Sequence, residues 1–193
     1  YKYNPISNTW TYLNADTKPW KYVAMSENGQ YQTICSNTTE TQNRSLSVSS
    51  NFGNSWNSVS VSGIPNWTGI AMSSSGQYQT AISIGINPGI WISSNYGNDW
   101  INVKNDINTL SGVAVSSSGQ YQTVVSNGNI YSNSNYGTGI GNWKTITVDA
   151  SFTSASVSMS GSGQIQVASD SNGRIYRSLN YGIDGSWTTQ PSF

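Results

Sequence analysis

Residues Ser73-Ser-Ser-Gly-Gln-Tyr-Gln-Thr80 decide how this chain is read, because they return as Ser116-Ser-Ser-Gly-Gln-Tyr-Gln-Thr123 and, before them, as Ser26-Glu-Asn-Gly-Gln-Tyr-Gln-Thr33. A looser copy runs Ser160-Gly-Ser-Gly-Gln-Ile-Gln-Val167, and the glycines Gly29, Gly76, Gly119 and Gly163 stand 47, 43 and 44 residues apart. A second landmark keeps the same beat. Ser49-Ser-Asn-Phe-Gly-Asn-Ser-Trp56 and Ser93-Ser-Asn-Tyr-Gly-Asn-Asp-Trp100 are followed by Asn133-Ser-Asn-Tyr-Gly137 leading to Trp143, and by Ser178-Leu-Asn-Tyr-Gly182 leading to Trp187. The closing tryptophans are 44, 43 and 44 residues apart. Two independent landmarks on one period mark an array of repeated supersecondary units.

Each unit reads as four short strands. In the second, residues 68–73 alternate apolar and small side chains, and the turn glycine Gly76 admits the backbone conformation that a tight reversal needs. Residues 77–83 form the next run, 90–94 a third and 100–103 a fourth, with Asn95-Tyr-Gly97 turning the chain between the last two. Strands of this length joined by turns, repeating every ~44 residues, predict the four-stranded antiparallel blade of an all-β propeller. No segment holds a 3.6-residue rhythm, so no α-helix is expected. The units run over 20–61, 67–103, 110–147 and 154–190 within one domain. Residues 1–13 form a partial blade, since Trp10 lies 46 residues before Trp56. A small closed ring, or closure by self-association, is expected in preference to an open arc that would expose its ends.

Composition excludes several function classes. Among 193 residues only 8% are charged, eight Lys and Arg balance eight Asp and Glu, and there is no histidine. A neutral chain lacks the basic surplus of a nucleic-acid binder. Without histidine there is no Ser-His-Asp triad and no imidazole metal site. Cys35 is the single cysteine, which precludes an intrachain disulfide or a cysteine zinc cluster. No run approaches the ~18 apolar residues of a membrane span. Scattered Asp and Asn oxygens could hold calcium, but no loop has the ligand spacing of a calcium site, so no metal site is assigned and no cofactor is expected. The opening at Tyr1 reads as that of a mature or excised piece.

The segment from strand three to strand four resembles the Asp-box, or bacterial neuraminidase repeat, with pattern Ser-x-Asp-x-Gly-x-x-Trp. The resemblance spans nearly the whole chain at the level of repeats. Asn51, Asn95, Asn135 and Asn180 stand where that family has Asp, and the third and fourth copies carry insertions between glycine and tryptophan. Asparagine still accepts bonds from turn amides. The resemblance implies a propeller in which Gly53, Gly97, Gly137 and Gly182 take the left-handed position. It also implies that Trp56, Trp100, Trp143 and Trp187 wedge between blades, on hairpins away from the ligand face.

The copies vary most in the loops from strand two to strand three (36–43, 84–89, 127–128, 170–173) and between blades (14–19, 62–66, 104–108, 148–153). Both sets leave an antiparallel blade on the same side, opposite the repeated turns. Variable loops on a rigid scaffold are where binding concentrates. Candidate ligand-binding residues there are Asp16, Asp106, Asp149, Asp170 and Arg174, together with Trp20 and Trp67. These two tryptophans sit nine residues before their turn glycines, where Leu110 and Ser154 replace them. Each indole could stack on the apolar face of a sugar, or could fill the space between blades. Trp91, Tyr131 and Tyr176 share a strand-three position read as outer-blade packing. Asn37, Asn43 and Asn66 begin Asn-x-Ser/Thr sequons.

The expected function is therefore a non-enzymatic binding module, lectin-like, that takes glycans at one face and sits outside the cell or on a surface. A structural or protein-interaction propeller, self-associating or built into an assembly, is the alternative. A glycoside hydrolase fits less well. Sialidases share these repeats, but their convergent arginine triad is not available from Arg44, Arg174 and Arg177, two of which alternate faces of a single strand.

Overall fold

A computed structural model describes residues 2–4, 6–11, 17–63, 65–139, 141–148 and 152–190. The chain is all-β, and among these residues the only helical segment is the 3-10 turn Thr41–Asn43. Blade 1 comprises β3 (Trp20–Met25), β4 (Gln32–Ser36), β5 (Leu46–Ser49) and β6 (Asn57–Val59). Blade 2 comprises β7 (Asn66–Met72), β8 (Gln79–Ile84), β9 (Gly89–Ser93) and β10 (Ile101–Lys104). Blade 3 follows with β11 (Leu110–Val115), β12 (Gln122–Ser126), β13 (Asn129–Asn133) and β14 (Lys144–Thr147), and blade 4 with β15 (Ser154–Met159), β16 (Gln166–Asp170), β17 (Ile175–Ser178) and β18 (Trp187–Thr189). Within each blade the strands pair in chain order and antiparallel. A separate hairpin, β1 (Lys2–Asn4) with β2 (Thr9–Thr11), pairs Tyr3 with Trp10.

The period is visible in the register. Every innermost strand carries one irregularity near its start, between Trp20 and Tyr22, Trp67 and Gly69, Leu110 and Gly112, and Ser154 and Ser156. A β-bulge at one repeated place bends each inner strand alike.

Burial follows from alternation along the strands, which sends successive side chains to opposite sheet faces. Three apolar layers result, one in each space between blades. The first joins Cys35, Leu46 and Val48 of blade 1 to Trp67, Ala81 and Trp91 of blade 2. The second joins Ile82, Ile90 and Ile92 to Val124, Tyr131 and Trp143. The third joins Val125, Ile130 and Ile146 to Val157, Ala168 and Tyr176. Trp91, Tyr131 and Tyr176 therefore belong to the inter-blade core. Burial among these side chains pushes the Cys35 thiol pKa far up.

A polar ladder crosses the same layers. Gln79, Gln122 and Gln166 are buried, and each side-chain amide donates to the turn carbonyl three residues earlier, on Gly76, Gly119 and Gly163. Each amide oxygen accepts the hydroxyl of a threonine on the preceding blade. Thr33 reaches Gln79 at 2.7 Å, Thr80 reaches Gln122 at 2.6 Å and Thr123 reaches Gln166 at 2.7 Å. Tyrosine pairs cap the ladder, with ring centroids 4.4 Å apart for Tyr31 and Tyr96, 4.6 Å for Tyr78 and Tyr136, and 4.5 Å for Tyr121 and Tyr181. The repeated Gln-Tyr-Gln-Thr is thus a blade-to-blade connector as well as a strand.

The four blades follow one another through their inner strands. Inner strand β3 packs on β7, β7 on β11 and β11 on β15, and among the described residues no comparable contact returns from β15 to β3.

Candidate functional site

The hairpins between strands three and four are built by local hydrogen bonds. In Asn51-Phe-Gly-Asn54 the two central residues have φ of 63° and 76°, and Asn54 N–H donates to Asn51 C=O at 3.2 Å. Positive φ at both central positions is the type I′ signature that suits a twisted hairpin. The other copies repeat it at Tyr96-Gly97, Tyr136-Gly137 and Tyr181-Gly182. The aromatic residue in the left-handed conformation is the part that a sequence reading assigning it to glycine alone overlooks. The hydroxyls of Ser49, Ser93 and Ser178 accept from Gly53, Gly97 and Gly182 N–H at 2.9, 3.0 and 3.1 Å. Asn51 and Asn95 each accept a turn amide, from Ser55 and Asp99. Trp100, Trp143 and Trp187 donate to the carbonyls of Gly97, Gly137 and Gly182 and pack at the layer toward the preceding blade. Trp56, on the first blade, has a buried indole N–H with no partner among the described residues.

On the variable side the loops of adjacent blades interlock. Asn87 donates to Ser62 C=O at 3.1 Å, Gly128 N–H to Phe152 C=O at 2.7 Å and Ser171 N–H to Thr153 C=O at 2.8 Å. The charged groups there are largely engaged in holding their own loops. Asp170 has a fully buried side chain that accepts from the N–H groups of Asn172 and Arg174, and it pairs with the Arg174 guanidinium at 2.7 Å. Burial raises its carboxyl pKa, but these bonds and the guanidinium outweigh that and hold it below the usual carboxylate value. Asp106 is exposed and pairs with Lys104 at 3.1 Å. Asp16 and Asp149 lie outside the described residues.

Trp67 is 0% exposed, with its ring against Trp91 at 5.7 Å and Trp100 at 6.3 Å, so it offers no face to a sugar. That placement is the core alternative for this position. Trp20, its equivalent by register, is half-buried. Of the sequon asparagines, Asn37 spends its amide on Trp67 C=O at 2.6 Å, Asn43 spends its own on Glu40 at 2.5 Å, and Asn66 lies in β7 with a buried side-chain oxygen. Among the described residues no group of three or more Cys, Asp or Glu side chains converges as a metal site.

The opposite rim, expected to be monotonous, holds a pocket of about 270 Å³ between the hairpins of blades 3 and 4. Asn133, Asn135 and Asn142 line one side with Lys144, and Tyr181 and Asp184 line the other. Asn133 stands where the other copies have serine. Its Oδ1 does the serine's work, accepting Asn135 and Gly137 N–H at 2.7 and 3.0 Å. Its Nδ2 is surplus to the turn, since Asn133 is 3% exposed and this donor has no partner among the described residues. Buried polar groups are normally hydrogen-bonded, and an orphan donor asks for an explanation. Lys144 and Asp184 form no ion pair with each other. Sequence reasoning missed the pocket, although its signals were present: an Asn in a serine column, and insertions in the two hairpins that form the walls.

No family model matches the chain, and no curated protein matches it. Solved structures do. A GH74 enzyme of Niastella koreensis superposes with TM-score 0.69 at 17% identity, covering 89% of this chain and 30% of that one. The nidogen/laminin complex gives 0.64 at 12% identity, covering 89% and 64%, and YCF48 bound to D1 peptide gives 0.59 at 15%, covering 95% and 57%. The chain therefore spans less than two thirds of each of these neighbours. At such identities the likeness shows the fold, and the fold is that of β-propeller proteins.

Proposed function

We propose that the chain is a non-catalytic, lectin-like binding module of the Asp-box kind. In this reading the pocket between the third and fourth hairpins takes a single sugar residue. The observation that carries it is the orphan Asn133 Nδ2 at a pocket that also offers two further side-chain amides, a lysine, an aspartate and a tyrosine ring. Sugar recognition needs convergent donors and acceptors for hydroxyls beside an aromatic surface. At about 270 Å³ the pocket lies near the small end of ligand sites, which suits one ring. A glycan ligand also goes with a protein that works outside the cell or on a surface. Neighbouring propellers are described with protein partners, laminin and a D1 peptide, so binding without chemistry is a use this architecture has elsewhere.

The test is a glycan array followed by titration of any hit, with Asn133→Ser as the control. Serine is the residue of the other three copies at this position and keeps an oxygen for Gly137 N–H, so the hairpin stays built while Nδ2 is lost. Loss of one buried hydrogen bond, ~1–3 kcal/mol, weakens binding by roughly 5- to 150-fold. An array with no hit, or a hit that N133S binds unchanged, overturns the reading.

A further inference from the structure

We infer that the sugar taken between the third and fourth hairpins is a uronic acid, its carboxylate on the blade 3 wall and its ring hydroxyls toward Asp184; this rests on the sugar reading above. The blade 3 wall departs from the other blades at neighbouring places. Asn133 stands in the serine column. By register Ser132 stands where Val48, Ile92 and Arg177 stand, and its cross-strand partner Lys144 where Asn57, Ile101 and Thr188 stand. A small side chain replaces a larger one, and a cation enters a column otherwise uncharged. Asn135 departs in its bonding. Its counterparts Asn51 and Asn95 are consumed by their hairpins: Oδ1 accepts from Ser55 or Asp99 N–H, and Nδ2 donates to Ser55 Oγ at 2.8 Å or to Asp99 Oδ2 at 2.7 Å. The longer third hairpin makes neither bond, and the Asn135 side chain has no partner among the described residues.

The unmet groups are sorted by wall. On blade 3 are the buried Asn133 Nδ2, the Asn135 amide and the Lys144 ammonium, which forms no ion pair among the described residues. On blade 4 is the exposed carboxylate of Asp184, likewise unpaired, and the Tyr181 ring, held against Tyr121 with centroids 4.5 Å apart. A ligand that meets both walls has an anionic, acceptor-only end and a donor-rich end. A neutral hexose carries hydroxyls at every edge and leaves the ammonium without a counter-charge, while a simple carboxylate leaves Asp184 without donors. A uronic acid has its carboxylate at one edge of the ring and a vicinal diol at the opposite edge. Hydrogen bonds to an ionised group are the stronger kind, so the carboxylate sets the preference.

Titration of the 193-residue chain, followed by NMR shifts, tests this with the methyl glycosides of glucuronic and galacturonic acid against those of glucose and galactose. One charge-assisted bond makes the uronide of at least one pair bind roughly 10-fold tighter, or more, than its neutral counterpart. Added salt weakens the uronide and not the neutral glycoside. Lys144→Gln brings the two to equal affinity. Asp184→Asn takes an acceptor from the hydroxyls and no counter-charge from the carboxylate, so it keeps the preference. Both substituted side chains are exposed, and circular dichroism checks that the fold is kept. Uronides bound no tighter than the neutral glycosides, or a preference that survives Lys144→Gln, overturn this inference and leave the sugar reading standing. A preference lost in Asp184→Asn overturns the assignment of the walls. A chain that binds other sugars but neither uronide also overturns the inference, and one that binds no sugar at all overturns both readings.

Discussion

Replacing Thr80 with valine tests whether the polar ladder holds the blades together. The Thr80 hydroxyl is fully buried and donates at 2.6 Å to Gln122 Oε1, which is also buried. Valine keeps the shape and removes the donor, so the glutamine oxygen loses its inter-blade partner. Stranding a buried acceptor costs ~1–3 kcal/mol. At about 2 kcal/mol, a chain of this length loses roughly 4–8 °C of melting temperature. Gln122→Met alone should cost as much or more, because it strands the Thr80 hydroxyl and the Gly119 carbonyl that Gln122 now satisfies. The double variant removes both partners of the inter-blade bond and should cost less than the sum by at least ~1 kcal/mol. The assay is urea denaturation followed by circular dichroism and tryptophan fluorescence. Coincident transitions are required before free energies are assigned, since a repeat array can unfold blade by blade. A Thr80→Val variant within ~0.5 kcal/mol of wild type, or an additive double variant, would refute the ladder as an energetic link.

Two further outcomes follow from named contacts. Gly137→Ala and Gly128→Ala both place a Cβ at positive φ, 73° and 79°, but at Gly137 it runs into Gln122 Oε1 and lies 2.9 Å from Ile92, whereas at Gly128 nothing lies within 4 Å. Gly128→Ala should cost only the ~1–2 kcal/mol of the left-handed conformation and Gly137→Ala clearly more, with thermal melts deciding. Asp170 has a folded-state pKa below its unfolded value, so its contribution is present above the ordinary carboxylate value and is lost as pH falls through the folded value. Asp170→Asn should therefore flatten the acid limb of the stability profile; a limb of unchanged steepness counts against the Arg174 pair.

The architecture was legible because its determinants are local and repeated four times. A turn glycine, alternating strands and an Asn-aromatic-Gly turn state the blade in every copy, and in blade 2 the expected strands fall within two residues of those observed. The equivalence of Trp20, Trp67, Leu110 and Ser154 also holds in the register. What the sequence did not carry is which face of a strand meets a neighbouring blade. Alternation fixes that Trp67 and Thr68 point apart, but it does not say which of the two sides another blade occupies, so an indole for a ligand and an indole for the core read alike. The roles of the loop charges are hidden in the sequence for a related reason. Asp170 and Arg174 look available in one dimension, and only the fold shows the carboxylate capping its own turn.

Repetition itself explains where function should be sought in such a chain. A residue kept in all four copies is answering a demand that all four blades share, and those demands are structural: Gln122 exists for Thr80 and Gly119, and Gly137 exists for a turn. A ligand site that occurs once cannot be written in the shared positions; it must be written in departures from them. Asn133 in a column of serines, with two lengthened hairpins around it, is such a departure. The variable loop face has more departures in number, yet its bonds run loop to loop, Asn87 to Ser62 and Gly128 to Phe152, so that variation is spent on closing the scaffold. A departure that leaves a buried donor unmet, as Asn133 Nδ2 is, is the one that points outward to a partner. By that criterion the rim with the regular turns, not the rim with the varied loops, is where binding to this protein should first be measured.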